Sequence, residues 1–151
     1  MKKILTRFVF LICFAVFSVP GFAQEGDVKV TEKEKAYFES EEGDPVEIKD
    51  EESEYEIIIF DPGFNMWLRT LARPEGYYSQ SFMEIRNDFY VQEWNRRFIE
   101  RFRYDPQLYQ LPIDYDPFVD YGYEVNYKLY NYFIYFQRKY NQRLGPFLPR
   151  I

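Results

Sequence analysis

The apolar positions of the chain begin with one continuous run. Residues 8–19 are apolar and follow three basic residues, and the small residues Gly21 and Ala23 then precede Gln24. This order is typical of a secretory signal peptide with cleavage before Gln24. The run is shorter than the roughly 20 apolar residues that a transmembrane helix needs. We therefore predict a signal peptide at residues 1–23, export to the periplasm or cell envelope or secretion, and no transmembrane segment in the mature chain.

The next segment is almost entirely polar. Residues 24–54 contain 13 acids and 4 bases and only two aromatic residues. Because such a segment offers little apolar surface to offset the entropy of ordering, we predict a disordered acidic leader. It is either a solvated spacer or an arm for a basic partner or divalent cations. Residues 46–48 are the exception and are a candidate edge strand.

From residue 55 the pattern changes to that of a folded domain. Residues 55–60 are rich in β-branched and aromatic side chains and precede an Asp-Pro-Gly turn, which predicts a buried strand. Phe64, Trp67, Leu68 and Leu71 then follow the i, i+3, i+4, i+7 spacing of a short amphipathic helix.

Two longer helices are predicted after this one. The first starts at Ser79 or Ser81, with Glu84 completing a capping box on Ser81, and runs to about residue 103. Its predicted core stripe is Phe82, Ile85, Phe89, Val91, Trp94, Phe98 and Phe102. The second runs over residues 122–144 and ends at a Gly-Pro pair. Its predicted core side is Val125, Leu129, Tyr132, Phe133, Phe136 and Tyr140.

The segment between the two long helices reads as a loop. It contains Tyr-Asp-Pro triplets at residues 104–106 and 115–117, and residues 60–62 are a Phe-Asp-Pro variant. In each, the aspartate can accept a hydrogen bond from the backbone two residues on while proline fixes φ, which favours a turn. Residues 111–115 are a candidate edge strand beside residues 57–59.

These elements predict a helix-dominated α+β fold over residues 55–151. A central strand, with short edge strands as candidates, would pack on one short and two long helices. The predicted organisation is therefore a signal peptide (1–23), an acidic leader (24–54) and a single compact Tyr/Arg-rich domain (55–151).

Composition removes several kinds of chemistry. The chain has no histidine and one cysteine, Cys13, which falls inside the predicted signal peptide. Histidine-based catalysis, imidazole metal sites and disulfide frameworks are therefore not expected, and we predict no cofactor and no metal. The net charge of −6 disfavours nucleic acid. The compact domain itself carries 12 bases and 12 acids, and 26 of its 97 residues are aromatic.

This surplus of aromatic and arginine residues suggests a binding face. A helix with aromatic residues around most of its circumference is either enclosed by the fold or presents a face to a partner. The candidate interaction surface is Tyr123, Tyr127, Tyr130 and Tyr135 with Arg96, Arg97 and Arg101. The alternative is that the aliphatic parts of the arginines cover tyrosine rings and their guanidinium groups pair with acids of the same chain.

The densest acidic cluster is Asp114, Asp116, Asp120 and Glu124. Its spacing does not fit a helix-loop-helix calcium motif, although an irregular oxygen-ligand site stays open. Carboxylate pairs for glycoside cleavage are conceivable among Asp88, Glu93, Asp116 and Glu124. No catalytic residue can be assigned.

The function predicted is a non-enzymatic exported interaction or structural protein of the cell envelope, with a protein partner or a second copy of the chain. The alternative is a carboxylate-dependent glycan-active or glycan-binding protein.

Several motifs between residues 55 and 144 occur together in a known family. They are Asp61-Pro62-Gly63-Phe64, Ala72-Arg73-Pro74, residues 76–81, Phe89-Tyr90-Val91, Glu93-Trp94-Asn95, residues 113–117, residues 120–127 and residues 140–144. In these motifs the chain resembles an uncharacterised domain-of-unknown-function family of exported Bacteroidota proteins. The resemblance implies an envelope-associated location and one compact domain after a variable leader. It implies no functional residues.

Overall fold

The computed structural model describes residues 28–40, 46–49, 56–59, 61 and 63–151. The predicted signal peptide and its cleavage site lie outside these residues, as does the predicted boundary at residue 55. The elements are α1 (Glu32–Glu39), β1 (Val46–Lys49), β2 (Glu56–Ile59), α2 (Phe64–Thr70), α3 (Gln80–Ile99) and α4 (Gly122–Lys139).

The predicted central strand is wrong. Helices form the described core, and its central element is α4, which contacts α2, α3 and both strands. In the part of the chain that the structure describes, β2 pairs with β1 alone, in a two-stranded antiparallel sheet with Val46 opposite Ile59. A β-rich sequence predicted that a strand exists but not where the fold would place it, because pairing depends on tertiary context.

The aromatic residues of α4 explain why a helix occupies the centre. Tyr135 and Phe136 are fully buried. The ring centroid of Tyr135 lies 5.5 Å from that of Trp67 on α2, and the ring centroid of Phe136 lies 4.7 Å from that of Trp94 on α3. Phe38 of α1 contacts Tyr135 at 5.8 Å. Such ring pairs add about 0.5–1.5 kcal/mol each beyond the burial of apolar area. Residues from several elements therefore enclose α4.

The candidate edge strand at residues 111–115 is also wrong. These residues have no strand structure. The side chain of Asn95 binds the backbone N–H and carbonyl that would otherwise pair with a neighbouring strand. Asn95 Oδ1 accepts from the Ile113 N–H and Asn95 Nδ2 donates to the Ile113 carbonyl, both at 2.8 Å. A single side chain thus satisfies the backbone at this point.

Part of the predicted leader is folded. Thr31 caps α1 in a capping box with Glu34, and the Glu34 carboxylate lies buried against Arg138 of α4. This contact joins residues 104 positions apart in the chain. Residues 28–40 therefore belong to the same folded unit as the helices, although their composition favoured disorder.

The helix limits are close to those expected, except at the C-terminal ends. Ser79, not Ser81, caps α3 by accepting from the Phe82 N–H at 3.2 Å, so the predicted Ser81–Glu84 capping box is wrong. The helix ends at Ile99 rather than near residue 103. Its predicted core stripe is displaced as well, since Ile85, Phe89 and Phe102 are exposed. The buried residues of α3 are Met83, Asn87, Tyr90, Val91, Trp94 and Arg97.

Candidate functional site

A pocket lies between α3, α4 and the segment that follows α4. One face of α3 supplies Phe82, Arg86 and Tyr90, which are spaced four residues apart and so line up along the helix. Tyr130 of α4 faces them, and Tyr90 and Tyr130 are both buried. These residues form the inner part of the pocket, whose volume is about 430 Å³.

The C-terminal segment supplies the remaining wall. Pro146, Phe147, Leu148 and Arg150 line the pocket together with Tyr78, which precedes α3. Leu148 and Arg150 are exposed and so belong to its outer rim.

Three arginines hold this C-terminal wall in place through backbone carbonyls. Arg143 donates to the Pro146 carbonyl at 2.9 Å, and Arg138 donates to the Pro149 carbonyl at 2.6 Å. Arg73 donates to the carbonyl of Ile151 at 3.0 Å.

Arg86 has an unusual environment in this pocket. Its guanidinium carbon lies 3.2 Å from the centroid of the Phe147 ring and 5.1 Å from that of Phe82. Its Nη1 atom is buried and has no hydrogen-bond partner among the described residues. An unpaired buried N–H donor on a charged group is unfavourable unless a ligand or solvent supplies an acceptor.

The charge of the pocket has one sign. Arg86 and Arg150 line it, and no aspartate or glutamate does. Burial raises the pKa of the Tyr90 and Tyr130 hydroxyls, so both remain neutral at physiological pH. The two arginines can therefore stabilise a negative charge in the pocket.

The predicted interaction surface is largely internal. Tyr127, Tyr130, Tyr135 and Arg97 are buried, so they cannot form an exposed face. The Tyr127 hydroxyl donates to the Arg73 carbonyl at 2.8 Å. Arg101 is exposed, while Tyr123 and Arg96 are half-buried. Of the predicted set, Tyr130 is the residue that the structure brings to the pocket.

Two of the three predicted arginine residues, Arg96 and Arg97, pair with acids of their own helix or its end. Arg96 binds Glu93 at 2.7 Å and Glu100 at 2.9 Å. Burial alone would raise the pKa of Glu93, but hydrogen bonds from Arg96 and Arg97 outweigh it and hold the pKa below its ordinary value. Arg96 and Arg97 also lie over the ring of Tyr104. These contacts match the alternative in which arginines cover tyrosine rings and pair with acids of the same chain.

The acidic cluster consists of local structural contacts. Asp116 accepts from the Phe118 N–H at 2.9 Å, as expected of a Tyr-Asp-Pro turn, and Asp105 does the same for Gln107 at 2.8 Å. Asp120 accepts from Gly122 N–H at the start of α4, and Glu124 pairs with Lys128 at 2.6 Å. Asp114 is exposed. Among the described residues, no group of three or more His, Cys, Asp or Glu side chains could hold a metal ion.

The third turn, at Asp61, has a different role. Its carboxylate is buried and accepts from Lys139 Nζ at 2.9 Å and from the hydroxyls of Tyr135 and Tyr140 at 3.2 Å. This network ties the segment before α2 to the end of α4. It is fully paired and so offers no free group to a ligand.

The sequence signal for the pocket was the four-residue spacing of Phe82, Arg86 and Tyr90, with a cation between two rings. It was missed because the apolar residues Ile85 and Phe89 set the predicted face of α3.

Comparison with known proteins supplies a family but no activity. In the described parts of the chain, no helix is both long enough and apolar enough to cross a membrane. No curated protein and no solved structure matches the chain. A family model described as "Family of unknown function (DUF6146)" matches residues 25–147, from within the predicted leader to the pocket residue Phe147. The chain therefore belongs to the DUF6146 family of unknown function.

Proposed function

We propose that this protein is an exported, non-enzymatic binding protein of the cell envelope that takes an anionic group of its ligand into the Arg86 pocket. The observation that carries the proposal is the Arg86 guanidinium, which lines a pocket without carboxylates and has no hydrogen-bond acceptor among the described residues. An anionic ligand would supply the missing acceptor, and hydrogen bonds to charged groups are among the strongest in proteins.

Support for export comes from the sequence alone. The basic, apolar and small-residue order of residues 1–23 favours a cleaved signal peptide, in keeping with the resemblance to exported Bacteroidota proteins. Expression of the full chain with a C-terminal tag, cell fractionation and mass spectrometry of the product test this. We expect a product that begins at Gln24 outside the cytoplasm. An uncleaved cytoplasmic product would contradict export.

The expected partner, a protein or a second copy of the chain, fits the same proposal, because a side-chain or terminal carboxylate is an anionic group. Ring-lined walls also suit a sugar, so glycan binding stays an alternative. Glycan cleavage gains no support from the pocket, because a hydrolytic pair would need two carboxylates there.

Binding can be tested by NMR titration of the purified protein. Acetate, benzoate, phosphate and sulfate would be added at constant ionic strength. We expect at least one anion to cause saturable shifts confined to residues such as Tyr78, Tyr130 and Phe147, and Arg86→Gln to abolish them. Arg101→Gln is the matched control, since the exposed Arg101 also stacks on a ring, that of Phe98 at 4.8 Å. If no anion shifts the pocket residues, the proposal is wrong.

A further inference from the structure

The stacking of Arg86 restricts how a ligand can approach it. The guanidinium carbon lies over the rings of Phe147 and Phe82, and the N–H groups at the guanidinium edge are the donors that can bind an anion. Two N–H donors at such an edge lie in one plane and match the two oxygens of a carboxylate. The geometry therefore favours a planar anion that meets Arg86 edge to edge.

The size and lining of the pocket describe the rest of the ligand. A volume of about 430 Å³ far exceeds that of one small anion, since a water molecule occupies about 30 Å³ of liquid. Beyond the two arginines, the lining is made of five aromatic rings, a proline and a leucine. Rings in these walls can pack against a ring-sized body of the ligand.

The tyrosine hydroxyls at the inner end of the pocket belong to buried residues, since Tyr90 is 1% and Tyr130 5% exposed. A body with many hydroxyl groups would find few accessible partners there and would lose more hydration than it could replace.

We propose that the pocket binds a ring-bearing carboxylate, with the carboxylate on the guanidinium of Arg86 and the ring among Tyr78, Tyr130 and Phe147. Arg150 on the exposed rim contributes a second positive charge that attracts the anion. This inference rests on the proposed function and names its ligand class. A ring-bearing carboxylate has two sources, a free aryl acid and the C-terminal aromatic residue of a peptide.

A panel of matched probes tests the ligand class by NMR titration of the full chain. Phenylacetate and N-acetylphenylalanine represent the two sources. Phenylacetamide and N-acetylphenylalaninamide remove the charge, acetate removes the ring, phenylmethanesulfonate replaces the planar anion by a tetrahedral one, and glucuronate replaces the apolar ring by a sugar. We expect each aromatic acid to bind about 10- to 100-fold more tightly than its amide, and more tightly than acetate, the sulfonate or glucuronate. The tighter of the two acids identifies the source.

Arginine variants separate a direct role from a structural one. Arg86→Gln and Arg86→Lys should both lose the preference for acid over amide, because neither presents a planar pair of charged donors. Arg101→Gln should retain it. Phe147→Leu, which keeps an apolar wall, should weaken the aromatic acids and leave acetate unchanged.

The outcomes distinguish the two proposals. If acetate or the sulfonate binds in the pocket as tightly as the aromatic acids, anion binding stands and the ring-bearing carboxylate is wrong. Glucuronate as the tightest ligand would replace the inference by the glycan alternative. If none of these probes binds but phosphate or sulfate does, only the ring-bearing carboxylate is wrong. If no anion of either panel binds, both proposals fail.

Discussion

At the scale of single residues, two arginines of α3 show how differently a charge can be treated inside one molecule. Arg97 is fully buried, and each nitrogen of its guanidinium donates a hydrogen bond. The acceptors are Glu93 at 2.7 Å, the Tyr109 hydroxyl at 2.8 Å, Gln142 at 3.1 Å and the carbonyl of Arg143. Arg86, eleven residues earlier, has aromatic rings as its only described contacts. We infer that Arg97 serves the fold and Arg86 serves a ligand.

The same substitution at both positions should therefore have unequal effects. Arg97→Met leaves Glu93 paired with Arg96 alone and removes the donor of the Arg143 carbonyl. A buried group left unsatisfied costs about 1–3 kcal/mol. Arg86→Met removes no hydrogen bond and keeps an apolar side chain, so the free energy of unfolding should change by less than about 1 kcal/mol. Urea denaturation followed by circular dichroism measures both values.

Arg101→Met is the control for loss of a positive charge, and its effect should stay within about 0.5 kcal/mol because Arg101 is exposed. Equal destabilisation by Arg86→Met and Arg97→Met would show that Arg86 is a structural residue. That result would also weaken the binding proposals.

At the scale of elements, the sequence predicted which helices exist better than what they face. The spacing of Phe64, Trp67 and Leu71 correctly placed α2, whereas α4 ends at Lys139 and not at the predicted residue 144. The buried face of α3 was wrong because Asn87 and Arg97 occupy core positions while Ile85 and Phe89 are exposed. Periodicity assumes that polar residues face solvent, and that assumption fails where buried polar groups are paired.

The docking of α1 could not be predicted for a related reason. It depends on an ion pair between Glu34 and Arg138, which lie more than a hundred positions apart in the chain. The segment around Glu34 has the composition of a solvated segment. Arg138 also donates to the carbonyls of Lys29 and Pro149, so one guanidinium joins α1 to the C-terminal wall of the pocket. The position of that wall is thereby linked to the docking of α1.

Glu34→Gln should release α1 and loosen this wall. It leaves the buried Arg138 without its charge partner, which we expect to cost about 3–5 kcal/mol of stability. Hydrogen exchange should increase at residues 28–40 and 146–151 while the middle of α3 stays protected. Glu32→Gln, which removes only the exposed pair with Lys35, should have an effect of about 0.5 kcal/mol or less. Faster exchange at 28–40 with no change at 146–151 would separate α1 from the pocket wall.

The ion pair between Glu34 and Arg138 also makes the stability of the fold depend on pH in the acidic range. Burial alone would raise the pKa of Glu34, but hydrogen bonds from Arg138 and Thr31 outweigh it and hold the pKa below its usual value. The pair therefore contributes its full stability above the ordinary glutamate pKa, and this contribution falls as pH drops through the lowered native value. Acid titration of stability should show a shallower decline in Glu34→Gln than in the wild type. Parallel curves would contradict a stabilising role of the ionised carboxylate.

At the scale of the whole molecule, the tyrosine content that suggested a binding face instead builds the core. Burial raises the pKa of seven described tyrosines, Tyr90, Tyr109, Tyr115, Tyr127, Tyr130, Tyr132 and Tyr140. For Tyr109 and Tyr127 the value reaches about 12, because desolvation disfavours the phenolate. Ionisation of the core and unfolding are therefore coupled.

This coupling predicts cooperative alkaline unfolding. An unfolded tyrosine releases its proton near pH 10, whereas buried Tyr109 and Tyr127 hold theirs to about pH 12. The native state thus binds more protons than the unfolded state in this interval, so stability is complete below about pH 10 and falls as pH rises towards 12. Tyrosinate absorbance and circular dichroism should change together in one steep transition. Tyr127→Phe should make that transition shallower, whereas Tyr77→Phe at an exposed position should leave it unchanged. Gradual tyrosinate formation centred near pH 10 in a protein that keeps its native helical spectrum would show that the aromatic core is open to solvent.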